Sequence, residues 1–114
     1  MPIHSFEDLE IWKKSKDLTS LVYLACRECK DFKFKDQIQS AALSVMNNVA
    51  EGFERQGKKE FQRFLYISKG SAGEVRSMAY MAKELKYVSD VEFNSIHNLS
   101  TEISRMIVGL IRVL

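Results

Sequence analysis

Apolar residues recur along this chain at helical spacing, in four runs separated by short polar breaks. The first run holds Leu9, Trp12, Leu18, Leu21, Val22, Ala25 and Cys29 and ends at the charged turn Lys30–Lys35. It opens at Ser5 with Asp8 three positions on, the spacing of a capping box. The second starts near Asp36 and sets Ile38, Ala41, Ala42, Val45, Val49 and Phe53 on one face. Gly57 breaks it and suits the N-cap of the next helix. The third run is Phe61, Phe64, Leu65, Ser68, Ala72, Val75, Met78, Ala79, Ala82 and Leu85. Ser89-Asp90-Val91-Glu92 is a capping box for the fourth, which carries Ile96, Leu99, Ile103, Met106, Ile107, Leu110 and Leu114. Stripes at three- and four-residue intervals are what a helix needs to bury one side. No stretch alternates with period two, and the one proline is Pro2, outside every run. The pattern predicts an all-α chain. Short connections make neighbours antiparallel, so the expected fold is an up-down-up-down four-helix bundle, one domain over residues 1–114.

A second apolar population falls beside or behind these stripes: Ile11, Tyr23, Leu43, Met46, Ile67, Tyr80, Met81, Val108 and Ile111. A broad core with scattered exposed apolar residues accounts for it. So does a subunit interface, because a monomeric bundle needs only one buried face per helix.

Polar residues interrupt the second and third runs. Ser44-Val45-Met46-Asn47-Asn48-Val49-Ala50-Glu51-Gly52-Phe53-Glu54-Arg55 carries an amide pair, a carboxylate and a glycine inside an apolar pattern. A buried amide left unpaired costs about 1–3 kcal/mol. The expected solution is an internal polar network that sets helix register, formed by Ser44, Asn48, Glu51, Ser71 and Glu74. A turn centred near Gly57 places Glu51 opposite Arg63, Ser44 opposite Gly70, and Asn48 toward Tyr66, near Leu65 and Ser68. Gly70-Ser71-Ala72-Gly73 sacrifices helix propensity, about 1 kcal/mol per glycine, and predicts close approach of a neighbouring backbone there. It is no phosphate-binding loop, lacking a preceding strand and the Lys-Ser/Thr of that motif.

These motifs resemble a small four-helix-bundle family named for proteins encoded in intervening sequences of bacterial 23S ribosomal RNA. The accessory variability determinant of diversity-generating retroelements is a relative. Ser44–Arg55 is similar to that family's Ser-Ile-Pro-x-Asn-Ile-Ala-Glu-Gly-x-x-Arg, with Met46 in place of the proline. Phe6-Glu7-Asp8-Leu9-Glu10-Ile11-Trp12 resembles its Phe-x-x-Leu-x-Val-Trp opening, and Gln37 its glutamine at the start of helix 2. Gly70-Ser71-Ala72-Gly73-Glu74 resembles its Gly-Ser-x-x-Glu. Leu85-Lys86-Tyr87 resembles its Leu-Gly-Tyr, with Lys86 replacing a common glycine. The resemblance spans nearly the whole chain. It implies a bundle that assembles as a homopentamer, and, through the relatives' association with ribosomal RNA genes and retroelement RNA, nucleic acid as a partner. It implies little about biochemistry, because most members have no established activity.

Composition bounds the chemistry. The chain is 46% hydrophobic and 28% charged with a net charge of +2, so a polyanion partner must be met by local clustering rather than bulk charge. No apolar run nears the ~18 residues of a membrane span, and the start Met1-Pro2-Ile3-His4-Ser5 lacks signal-peptide character. No membrane association is expected, and the expected compartment is the cytoplasm. Cys26-Arg27-Glu28-Cys29 is an isolated pair. Zinc needs four ligands and a thioredoxin-type motif needs a preceding strand, so these read as reduced packing thiols. His4 and His97 lie far apart, and the Glu-x-x-His of di-metal bundles is absent. No metal, cofactor or catalytic set is expected, and the chain reads as non-enzymatic.

The charge cluster that remains is the second turn. Arg55, Lys58, Lys59 and Arg63 surround it with Glu60 as the one acid, and Arg112 reaches the same pole from the end of helix 4. At the other pole Lys30, Lys33, Lys35, Lys83 and Lys86 are diluted by Glu28, Asp31, Asp36, Glu84, Asp90 and Glu92. Arg55, Lys58, Lys59, Arg63 and Arg112 are therefore the candidate contacts to RNA or DNA, made to phosphate rather than base edges. Tyr66 or Phe61 is placed to stack on unpaired bases, although Phe61 also fits the core. A solvated charge run on a protein-interaction scaffold, indifferent to nucleic acid, is the alternative.

Overall fold

The computed structural model describes residues 2–114. They form four helices: α1 (Glu10–Ala25), α2 (Phe32–Glu54), α3 (Lys58–Glu84) and α4 (Asp90–Val113), with a 3₁₀ turn at Phe6–Asp8 before them. Among the described residues there is no strand. The molecule measures 42 × 22 × 19 Å. α2 packs on α1 and α3, and α4 on α3 and α1, while among the described residues the backbones of the diagonal pairs stay farther apart. Leu18, Val22, Ile38, Val45, Val49, Leu65, Val75, Ile96, Ile103 and Ile107 are fully buried between them. Each such side chain contributes about 1.5–3 kcal/mol by leaving water.

Two helix starts fall where local signals put them. α3 begins at Lys58 behind an extended Gly57. α4 begins behind Ser89, whose Oγ accepts the Glu92 N–H at 3.1 Å while the Glu92 carboxylate accepts the Ser89 N–H at 2.8 Å. The first half of the chain differs from expectation. Asp8 does accept the Ser5 N–H at 3.2 Å and the His4 N–H at 2.9 Å, and these bonds hold its carboxyl below the usual range. They close only the 3₁₀ turn, because Leu9 is extended, and α1 starts at Glu10. α1 stops at Ala25 rather than the Lys30–Lys35 turn, leaving Cys29 in the connection. α2 begins at Phe32, ahead of Asp36, because the Asp31 carboxylate accepts the Phe34 N–H at 3.2 Å. The same carboxylate accepts the Tyr87 hydroxyl at 2.7 Å, tying the first connection to the third.

Hydroxyls stitch α1 and α3 to α2. Thr19 Oγ1 shares its one proton between the Ser15 carbonyl of its own helix at 2.9 Å and the Ala42 carbonyl at 3.1 Å, and Ser68 Oγ donates to the Val45 carbonyl at 2.7 Å. Both cross-helix bonds are buried, where an unpaired hydroxyl would cost about 1–3 kcal/mol. Along the α2–α3 seam Gln37 meets Glu74, Ser44 meets Ser71, Val45 meets Ser68, and Gly52 meets Phe64.

Gly52 marks the tightest approach. A Cβ there would lie 2.6 Å from Phe64 Cβ and 3.1 Å from Phe61 Cδ1. This corrects the expectation for Gly70 and Gly73, which would have no neighbour within 4 Å of an added Cβ. Gly52 follows Val45 by seven and Val49 by three, so it sits on the buried stripe of α2, whereas Gly70 and Gly73 lie off that of α3. The second apolar population also divides. Ile11 is 4% exposed and belongs to the core, and Ile111 packs against it, whereas Tyr23, Leu43, Ile67, Tyr80 and Met81 remain exposed.

α3 ends in a Schellman arrangement. Lys86 has φ 61°, with its N–H on the Lys83 carbonyl at 3.0 Å and the Tyr87 N–H on the Ala82 carbonyl at 2.8 Å. A left-handed conformation strains any residue with a Cβ by about 1–2 kcal/mol.

Gly52→Ala is expected to destabilise the fold by about 1–3 kcal/mol through overpacking. Gly73→Ala should be neutral or stabilising by up to about 1 kcal/mol. Urea denaturation followed by circular dichroism separates the two, and equal effects would contradict the Gly52 contact. Lys86→Gly should raise stability by about 1 kcal/mol in the same measurement.

Candidate functional site

The five residues expected to form one polar network form three separate groups. Ser44 Oγ and Ser71 Oγ are 2.8 Å apart, and Asn48 Nδ2 donates to Ser44 Oγ at 2.9 Å and to the Ser44 carbonyl at 2.8 Å. Asn48 therefore turns back along its own helix instead of toward Tyr66, which stands exposed. Glu74 instead accepts from Gln37 Nε2 at 2.6 Å, and Glu51 pairs with Arg55 at 3.2 Å. Ser44, Asn48 and Ser71 are half-buried and mutually satisfied, which suits a register-setting contact. The buried cross-helix bonds of Thr19 and Ser68 were missed. Thr19 stands one residue after Leu18 and three before Val22, so the signal was a hydroxyl on an apolar stripe.

The basic residues are spread over three places. Arg55 and Arg63 place their guanidinium carbons 5.1 and 4.5 Å from the Phe64 ring centroid. Each also shares a carboxylate of its own helix, Glu51 for Arg55 and Glu60 for Arg63, the latter at 2.8 Å. The Arg63 hydrogen bond holds Glu60 below the usual carboxylate range, and Glu60 raises Arg63 in turn. Both ion pairs are exposed and screened by solvent, so they add little to stability. Lys58 lines a shallow cleft with His4, Phe53, Gln56, Gly57 and Phe61. Gly57 offers no side chain to the first N–H groups of α3, so that helix end carries its partial positive charge beside Lys58 and Lys59. Among the described residues neither lysine has a carboxylate within 4 Å. Arg112 does not join them. It lines an α3–α4 cleft with Lys69, Ser104, Arg105, Val108 and Gly109. Lys69 and Arg105 were not singled out from the sequence, although Arg105 and Arg112 stand seven apart and share a helix face.

The thiols are unsuited to chemistry. Cys26 and Cys29 are both buried and free. Burial pushes Cys26 up to about 11, so it stays a protonated thiol at neutral pH. Cys29 points its sulfur toward the Asp31 carbonyl at 3.8 Å. His97 bonds the Tyr80 hydroxyl at 3.0 Å. Among the described residues no group of three His, Cys, Asp or Glu side chains is placed to hold a metal, and no helix is long and apolar enough to cross a membrane. What the surface offers is unpaired cations beside exposed tyrosines.

The sequence model of the 23S rRNA-intervening sequence protein family matches residues 7–109. No curated protein matches the chain. Among solved structures, the chain is similar to a protein of unknown function from the S23 ribosomal protein family of Bacteroides thetaiotaomicron. The two are 25% identical, with a TM-score of 0.80, over 89% of this chain and 97% of the other. The match covers most of the chain, from the 3₁₀ turn through the greater part of α4, and the chain belongs to the 23S rRNA-intervening sequence protein family.

Proposed function

We propose that the chain is a non-enzymatic, self-associating bundle that binds nucleic acid through phosphate contacts at the α2–α3 turn. The observation that carries this reading is the uncapped start of α3, with Lys58 and Lys59 unpaired beside it and Arg55 and Arg63 flanking it. Backbone N–H groups at a helix start and free lysines both favour phosphate oxygens. The exposed Arg55 and Arg63 ion pairs are weak enough for a phosphate to displace the carboxylate. The order of contacts along the α2–α3 seam supports the antiparallel, up-down-up-down arrangement, which puts this turn at one end of the molecule.

Self-association is supported by a strip on α3. Ile67, Gly70, Glu74 and Met81 follow one another at three-, four- and seven-residue steps, with Ile67 and Met81 exposed and open space above Gly70. A second copy covers this strip in the proposed assembly, a homopentamer. A ring of five repeats the basic turn five times, and linked weak contacts on one polyanion gain by avidity. Four phosphate contacts give a log–log salt slope of about −3.6 on duplex DNA.

Light scattering should return five times the 13.2 kDa chain mass. Ile67→Glu with Met81→Glu should lower it. A monomeric parent protein would overturn the assembly. Fluorescence anisotropy with labelled RNA and DNA should show binding that weakens as salt rises, and Lys58→Glu with Lys59→Glu should reduce it by at least about ten-fold. An oligomer that binds neither RNA nor DNA at low salt would favour the protein-interaction scaffold.

A further inference from the structure

Along their middle lengths α3 and α4 carry few carboxylates, and each is held by a neighbouring helix. Between Gln62 and Lys83 the only acid on α3 is Glu74, which faces α2 and is held by Gln37. Between Phe93 and Arg112 the only acid on α4 is Glu102, which is held by Lys14 of α1 at 3.1 Å and also borders a cleft with His97, Asn98, Thr101 and Arg105. The furrow between the two helices keeps the cations. Lys69, Arg105 and Arg112 line one cleft of about 390 Å³ with Ser104, Val108 and Gly109. Arg76 and Lys83 continue the line of Lys69 at seven-residue steps, and Lys83 reaches α4 by lying 4.7 Å from the Phe93 ring centroid. Among the described residues none of these five cations has a carboxylate within 4 Å.

Gln62 Nε2 on the Ile111 carbonyl at 3.1 Å and Tyr80 on His97 at 3.0 Å fix both ends of the same α3–α4 seam. From Gln62 to Lys83 α3 rises about 30 Å. Two tyrosines stand along this length. Tyr66 is 61% exposed, and Tyr80 is 56% exposed with one edge fixed against Phe93 and His97. A row of unpaired cations with aromatic rings spaced between them matches a strand whose phosphates follow the row while its bases stack on the rings. A duplex keeps its bases stacked on each other and has no use for the tyrosines.

We infer that the α3–α4 furrow is a track for single-stranded nucleic acid, running along the helices from the Arg112 end toward Lys83. This rests on the nucleic-acid reading above and relocates the principal contact from the turn to the side of the molecule, where Arg112 lies.

The test is fluorescence anisotropy with a labelled thymidine dodecamer and with a duplex of the same length, on the full chain, with melting curves as the fold control. The parent protein should bind the single strand at least about ten-fold more tightly than the duplex. Tyr66→Ala should cost about ten-fold on the single strand and leave the duplex unchanged, and Tyr66→Phe should restore binding. Lys69→Gln with Arg105→Gln should weaken single-strand binding and reduce the salt slope by about 1.4, two phosphate contacts. Binding abolished by Lys58→Glu with Lys59→Glu but untouched by the Lys69 and Arg105 pair overturns the furrow and leaves the turn standing. Equal affinity for both probes, or no effect of Tyr66→Ala, overturns the single-strand assignment. No binding of either probe at low salt overturns both readings together.

Discussion

The structure depends on how closely α2 and α3 approach at Gly52. With no side chain there, Phe64 and Phe61 lie directly on the α2 backbone. Phe61 also meets Phe53 edge-on at 5.9 Å. That contact sets the spacing at the turn end of the seam. Farther along, the distance suits a hydroxyl bridging to a carbonyl, as Ser68 does to Val45, and then two serine hydroxyls meeting as Ser44 and Ser71 do. Side chains too short to pack apolar surface hold the pair in register, because a slip would leave buried hydroxyls without partners. α1 joins α2 by the same device through Thr19. α2 thus receives cross-helix hydroxyl bonds on two sides, and its carbonyls at Ala42 and Val45 accept a second bond beyond their helical one.

Charge is arranged around that frame with a direction. Acids on the inner halves of α3 and α4 turn toward α2 and α1, where Gln37 and Lys14 hold them. The basic residues of α3 and α4 are left along the α3–α4 side and at the α2–α3 turn. Net charge of +2 says little about this, since it averages a cationic side with the mixed end near Asp31 and Glu92. Field at a surface depends on which charges share a face, not on the sum.

Legibility in the sequence followed the range of the interaction responsible. Gly57 before α3 and the Ser89–Glu92 box before α4 act within four residues, and both were readable. The start of α2 was not, because Asp31 and Asp36 are equally good caps by residue type. Asp31 is selected by its bond to Tyr87, 56 positions away. The glycines illustrate a signal that was present. Helical phase distinguishes Gly52, on the Val45–Val49 stripe, from Gly73, off the Ala72–Val75 stripe, but propensity alone treats them alike. The polar network was legible as residues and not as a network, since Ser44, Asn48 and Ser71 come together while Glu51 and Glu74 find nearer partners. The furrow cations were hidden for the same reason that Arg112 was grouped with the turn. Nearness in sequence to a helix end stood in for position around the helix.

The bond from Tyr87 to Asp31 makes two separate connections one mechanical unit. It joins the connection after α1 to the connection after α3, with Phe34 against the Tyr87 ring at 5.3 Å, so neither loop can swing without the other. The short turn between α2 and α3 is held differently, by Phe61 and Phe64 against Gly52 and by Phe61 against Phe53. Lys58 and Lys59 are thereby borne on a turn braced by aromatic packing rather than by a polar clasp.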